Sequence, residues 1–187
     1  MIHIYDQPQF NNSFFTFPNL YSEMVNKFPS NSKFVEIGCW KGKSSAYMAV
    51  EIINSCKKIE FICVDTWEGS IEHKNGNYPE LKNLYEIFKE NMKPLENFYI
   101  NMRMTSMEAV KLFEDNSLDF VFIDASHEYE DVKNDIISWL PKVKKGGVLS
   151  GHDYWEDPTT IPDVRRAVND VLTNFYTTNE GCWVYNV

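Results

Sequence analysis

The sequence predicts an α/β protein with a doubly wound sheet of seven strands, mostly parallel, an antiparallel C-terminal hairpin strand, and helices on both faces. Three observations predict it. Between residues 34 and 175, short apolar runs alternate five times with segments of helical period, the pattern of parallel strands joined by crossover helices. The run LDFVFID at 118–124 is too apolar to be half exposed, as a strand covered on both faces must be. Residues 174–187 then break the alternation with two strand-like runs around the turn residues Asn179, Glu180 and Gly181, which reads as a hairpin closing one edge.

Taken in order, Leu20, Met24, Val25 and Phe28 give 19–28 a helical spacing that Pro29 ends. FVEIG at 34–38 is a short strand closed by glycine, and 43–53 follows as a helix with a serine-rich start. Strands are expected at 60–65, 97–102, 118–124 and 145–153. Helices are expected at 79–92, 106–115, 129–140 and 162–175, with Pro79 and Pro162 near two of the starts. The apolar face of 129–140 carries Val132, Ile136 and Leu140.

At 187 residues, 43% hydrophobic and 24% charged, the chain reads as one soluble domain, with an aromatic N-terminal segment and lead-in helix at 1–33 packed on a domain spanning 34–187. Tyr5, Phe10, Phe14, Phe15 and Phe17 suit a lid, a homodimer contact or plain packing equally well. Eighteen basic against twenty-seven acidic residues give a net charge of −9, which repels polyanions and argues against nucleic acid or acidic lipid as a partner. Cys39, Cys56, Cys63 and Cys182 form no CxxC pair and read as reduced core thiols. The N-terminus lacks the layout of a signal peptide and no run is long enough to span a membrane, so a cytoplasmic location is expected.

In a doubly wound sheet the first strand–helix turn is the usual cofactor cradle. Here it has Gly38 and Gly42 four apart, Glu36 two residues before the first, and Ser44 and Ser45 opening the helix. This is not G-x-G-x-x-G, and a carboxylate would repel a pyrophosphate. S-adenosylmethionine instead brings an ammonium and a sulfonium that Glu36 can stabilise directly or through water. Its carboxylate suits the serine hydroxyls and the helix N-terminus. Asp65, ending the second strand 23 residues after Gly42, is placed to take both ribose hydroxyls, with Thr66 and Trp67 beside it.

The ends of the fourth and fifth strands carry the candidate chemistry. Asp124 is followed by Ala125, Ser126 and His127, and the fifth strand ends in His152 and Asp153. Methyl transfer to oxygen needs donor and acceptor aligned near 3 Å and the acceptor proton removed. His127 is the natural base because imidazole titrates near neutral pH. Asp124, His152 and Asp153 can converge on a divalent cation that binds the acceptor oxygens, Mg2+ and Mn2+ suiting the set as well as iron.

The blocks FVEIGCWKGKSS, FICVDTW and the stretch from LDFVFIDASHEYEDVKNDIISWL to GHDYW resemble the class I S-adenosylmethionine-dependent methyltransferases, in the branch of the macrolide and aminocoumarin sugar O-methyltransferases. The resemblance runs from about Phe34 to the C-terminus and implies a Rossmann-like sheet and O-methylation of a small hydroxylated, sugar-like acceptor. It also implies magnesium at Asp124 and at the pair His152 and Asp153, His127 as base, and Ser106 near the adenine. The chain departs from the branch at His152, where the sugar enzymes usually have a second carboxylate. Two alternatives stand beside this reading: an NAD-dependent oxidoreductase, and a non-catalytic cofactor-binding or assembly subunit.

Overall fold

The structure is a computed structural model that describes residues 1–11 and 13–187. Its strands are β1 (Lys33–Ile37), β2 (Glu60–Asp65), β3 (Ile100–Arg103), β4 (Leu118–Ile123), β5 (Val143–Gly151), β6 (Tyr176–Thr177) and β7 (Trp183–Asn186). They form one seven-stranded sheet in the order β3-β2-β1-β4-β5-β7-β6. β1 to β5 are mutually parallel, and β7 runs antiparallel to both β5 and β6. The terminal hairpin therefore inserts its second strand beside β5 and leaves the two-residue β6 at the edge. An edge that short offers little unpaired backbone to another chain.

The helices are α1 (Pro18–Lys27), α2 (Lys43–Ser55), α3 (Ile71–Asn75), α4 (Leu84–Met92), α5 (Ser106–Ala109), α6 (Tyr129–Trp139) and α7 (Pro162–Val171). Side chains alternate across a strand, and this sorts the core into two layers. Phe34, Phe61, Phe120 and Phe122 pack against Tyr21 and Met24 of α1, Ala46 and Val50 of α2, and Phe88 of α4. Val35, Ile37, Val64, Val121 and Ile123 pack against Ala109 of α5, Ile136 and Trp139 of α6, and Val168 of α7. The N-terminal segment belongs to the first layer, burying Ile4, Phe10 and Phe17, with His3 stacked on Tyr47 at 4.3 Å.

Several boundaries differ from the sequence reading, each for a local reason. The helix expected at 79–92 opens as a 3₁₀ turn over Pro79–Asn83, and α4 begins at Leu84. The helix expected at 106–115 is one α turn, held by a Thr105–Glu108 capping box, that tightens into a 3₁₀ turn over Val110–Leu112 and ends where Phe113 becomes extended. The last helix stops at Val171 because Leu172 turns extended to bury its side chain. β3 starts at Ile100 because a 3₁₀ turn at Lys93–Leu95 uses up the chain before it. The stretch 66–78, between the expected strand at 60–65 and the expected helix at 79–92, contains α3. Cys39, Cys63 and Cys182 are buried thiols, but Cys56 is exposed, in the left-handed conformation that ends α2. Among the described residues no helix is long and apolar enough to cross a membrane.

Candidate active site

Strand order reverses between β1 and β4, and ligands of doubly wound sheets bind at the carboxyl ends of the strands at such a point. The two strands stay in register to Ile37 and Ile123, and the Asp124 N–H donates to the Ile37 carbonyl at 2.8 Å, so Gly38 and Asp124 lie side by side. Gly38 sits at φ +88°, and a Cβ there would lie 1.9 Å from the Asp124 carbonyl oxygen. Gly42, at φ +86°, would drive a Cβ to 2.9 Å from Met92 Cγ. Both glycines therefore serve close packing of the turn, Gly38 against β4 and Gly42 against α4.

Asp65 closes the same turn. Its Oδ2 accepts from the backbone N–H groups of Cys39 at 2.8 Å and Trp40 at 2.9 Å, and its Oδ1 accepts from that of Trp67 at 2.7 Å. A carboxylate offers about four acceptor positions. Both oxygens of Asp65 are thus already engaged by backbone N–H groups, while the side chain lines the cleft.

The cleft above these strand ends has a volume of about 750 Å3 and brings together Gly38, Ser44, Asp65, Thr66, Ser106, Asp124, His127, His152 and Asp153. Four other sequence candidates stand outside its lining. Glu36 shares the face of Phe34, because alternation along β1 points it under α1 and α2. It is 1% exposed, and its oxygens accept from Tyr21 Oη at 2.8 Å and from Ser45 Oγ. Burial raises its carboxyl above the usual range, opposed by the hydroxyls around it. Ser45 is its buried partner, and Gly42 is covered by Met92 and Phe88. Trp67 buries its indole against Tyr85 and Phe88 and donates from Nε1 to the Trp40 carbonyl at 2.9 Å.

At the ends of β4 and β5, acids and histidines meet. His127 Nε2 lies 2.9 Å from Asp153 Oδ2. His152 Nδ1 lies 3.1 Å from Asp153 Oδ1 and 3.8 Å from Asp124 Oδ1. Its other nitrogen, Nε2, is 2.8 Å from Thr16 Oγ1 and 3.2 Å from the Glu180 carbonyl, to which the Thr16 hydroxyl also donates at 3.1 Å. A carbonyl only accepts, so the assignment that satisfies all three contacts puts a proton on His152 Nε2. Burial lifts the Asp124 carboxyl to about 7, against the pull of His152. Burial works the same way on Asp153, but hydrogen bonds from His127 and His152 override it and hold that carboxyl well below the usual range. His152 is raised in return, because its hydrogen bond to Asp153 and the nearby Asp124 charge outweigh burial.

Four further features complete the site. Lys43 lines the cleft at the N-terminus of α2 and makes no hydrogen bond or ion pair with another described residue. Its signal was its place directly after the second glycine. Trp40 stacks on His73 at 4.3 Å, with Tyr78 edge-on to both, forming an aromatic wall over the β2 end. Asp135, 5% exposed, takes a hydrogen bond from Ser106 Oγ, which itself accepts from Trp139 Nε1 at 2.8 Å. The Asp-Ile-x-x-Trp helix thus fixes the Ser106 hydroxyl at the cleft wall, a role that only the packing reveals. The N-terminal segment supplies Ser13, Phe14 and Thr16 to the cleft, with Phe14 89% exposed.

Fold and site together define a doubly wound α/β protein with acid–base groups at the switch point. The profile of the methyltransferase domain family matches residues 35–154, and the chain belongs to that family. Its fold is that of the class I S-adenosylmethionine-dependent methyltransferases, which speaks against the nicotinamide oxidoreductase. An uncharacterized protein of Sinorhizobium fredii is 32% identical over 121 residues, 65% of this chain, and the matched part spans only 13% of that protein. The O-methyltransferase NovP has a similar fold, with a TM-score of 0.69 at 16% identity over 91% of this chain and 79% of NovP. The O-methyltransferase from Bacillus cereus, solved with S-adenosylhomocysteine (SAH), gives a TM-score of 0.56 at 14% identity over 89% of this chain and 77% of its own.

Proposed function

We propose that this chain transfers the methyl group of S-adenosylmethionine to a hydroxyl oxygen of a small, sugar-like acceptor, with His127 as general base. The observation that carries the reading is the His127–Asp153 pair, 2.9 Å apart at the mouth of the cleft. The ionised Asp153 beside Nε2 steadies the imidazolium formed when the ring takes the acceptor's proton. At about 750 Å3 the cleft has room for donor and acceptor together. The names of the similar folds, O-methyltransferases, support oxygen as the acceptor atom.

On the donor side, Lys43, the Ser44 hydroxyl and the start of α2 face the donor's carboxylate, and Asp65 Oδ1 takes a ribose hydroxyl. Asp124, His152 and Asp153, whose ligand atoms lie within 4.8 Å of one another, fit a divalent cation. Bound there, a cation supplies a Lewis acid that holds acceptor oxygens and lowers their pKa.

The test is calorimetric titration with SAH, followed by a screen of hydroxylated metabolites for transfer of labelled methyl. His127→Ala is expected to keep SAH affinity and to lower turnover about 100-fold or more. Undiminished turnover removes His127 from the chemistry, and absence of SAH binding by cofactor-free protein removes the donor site.

A further inference from the structure

We propose that the Asp124–His152–Asp153 cluster selects a first-row transition-metal dication of the Mn2+ or Co2+ kind over Mg2+. This rests on the proposed cation site, but the identity of the ion is measured here without donor or acceptor.

The first ground is the donor set. Mg2+ favours oxygen donors throughout and keeps its waters, whereas imidazole nitrogen suits later dications, whose affinity for a nitrogen donor rises along the first row. With His152 as one of its three donors the cluster has only two anionic ligands, which weakens the purely electrostatic hold that a hard ion depends on.

The second ground is geometry. Two donors at right angles, each about 2.1 Å from one ion, are about 3 Å apart. His152 Nδ1 and Asp153 Oδ1 are 3.1 Å apart, and Asp124 Oδ1 stands 3.8 Å from the same nitrogen. The three donors cover one side of a common centre and leave the cleft side for acceptor oxygens.

The third ground is independent of the acids. Metal-ligating histidines almost always donate their other N–H to a carbonyl, carboxylate or water, which fixes the tautomer and aims the ligand nitrogen. His152 Nε2 makes such a contact with the Glu180 carbonyl at 3.2 Å, and Thr16 stands 2.8 Å from the same nitrogen. Phe17 packs its ring 4.8 Å from the imidazole centroid and Trp155 edges it at 5.2 Å, so the ring cannot swing away. Nδ1 is thereby held against two carboxylate oxygens, 3.1 Å from Asp153 and 3.8 Å from Asp124. In the ion-free protein the proton that Nδ1 donates to Asp153 is the positive centre there, and a dication entering from the cleft can take its place.

Mn2+ binding to the chelator-stripped full-length chain, followed by loss of the free-ion EPR signal, tests this near neutral pH. One Mn2+ per chain is expected, with Mg2+ needing about tenfold or more excess to displace it. Asp124→Asn should weaken both ions, and His152→Asp should narrow or reverse the preference as an all-oxygen site forms. Circular dichroism checks that each variant is folded, and the wild-type competition decides the proposal even if His152→Asp does not fold. Displacement of Mn2+ by equimolar Mg2+ overturns the proposal. So does absence of a stoichiometric Mn2+ site, which leaves a proton as the positive centre, or binding unaffected by Asp124→Asn, which marks an ion held elsewhere. SAH titration of the same sample reports separately on the donor site, so its failure cannot be confused with failure of the ion site.

Discussion

Asp135→Asn should make the ligand-free protein more stable, by an amount that depends on pH in a defined direction. Asp135 is 5% exposed on α6 and receives a hydrogen bond from Ser106, which Trp139 holds in place. Burial lifts its carboxyl from 3.8 to about 6, the Ser106 hydrogen bond opposing and the Asp131 charge adding. Because the folded-state value is raised, the protonated form is the stabilising one. Its contribution is fully present below the ordinary carboxylate range and is lost as pH climbs through about 6.

A carboxyl moved from 3.8 to about 6, at about 1.4 kcal/mol for each tenfold change in proton affinity, carries a cost near 3 kcal/mol once ionised. Asparagine keeps the acceptor for Ser106 and cannot ionise. In a domain of 187 residues the variant should gain roughly 6–12 °C in Tm at about pH 8 and almost nothing at about pH 4. Urea and thermal unfolding of both proteins at the two pH values measure it. Equal stability at both, or one constant offset, would refute the argument that burial of the charge is what costs. The same variant should bind SAH more weakly, because it removes a charged acceptor from the wall where Ser106 and the adenine are expected to meet.

Three other perturbations separate packing from ligand contact. Gly38→Ala places a Cβ 1.9 Å from the Asp124 carbonyl oxygen at φ +88° and should cost about 3 kcal/mol or more in urea unfolding; a midpoint close to wild type would mean that the turn relaxes. Glu36→Gln keeps partners for Tyr21 and Ser45 and should leave SAH affinity within about threefold, whereas a tenfold loss, about 1.4 kcal/mol, at unchanged stability would mean that Glu36 reaches the donor's ammonium. Stability of that variant near neutral pH should equal or exceed wild type, since burial raises the Glu36 carboxyl and its ionised form is the costly one. Lys43→Met should weaken SAH about tenfold and flatten the salt dependence of binding, as loss of a charge-assisted contact at a helix N-terminus does; an unchanged Kd removes Lys43 from the donor site.

Much of this protein was legible from its residues. Local periodicity determined the order and type of the elements, because a strand covered on both faces must be continuously apolar and a crossover helix must be amphipathic. The same logic put Asp124, His127, His152 and Asp153 at strand ends, since a run of apolar residues stops where the chain leaves the sheet. Chemistry alone narrowed the first turn, an acidic residue there being a poor match for pyrophosphate. Glu36 shows where that reasoning ends. Its parity with Phe34 was visible in sequence, but which face of β1 meets α1 and α2 is a property of packing, and that face supplied Tyr21 and Ser45.

Tertiary structure alone decided the rest, because these contacts join residues far apart in the chain. Thr16 reaches His152 across 136 positions, and Glu180 closes the same contact from the terminal hairpin. Asp65 spends three of its acceptor positions on backbone N–H groups of two turns that only the sheet brings together. Sequence determined which groups were present and near which strand ends; packing decided which of them face the cleft, which tautomer His152 takes, and which acids are already engaged.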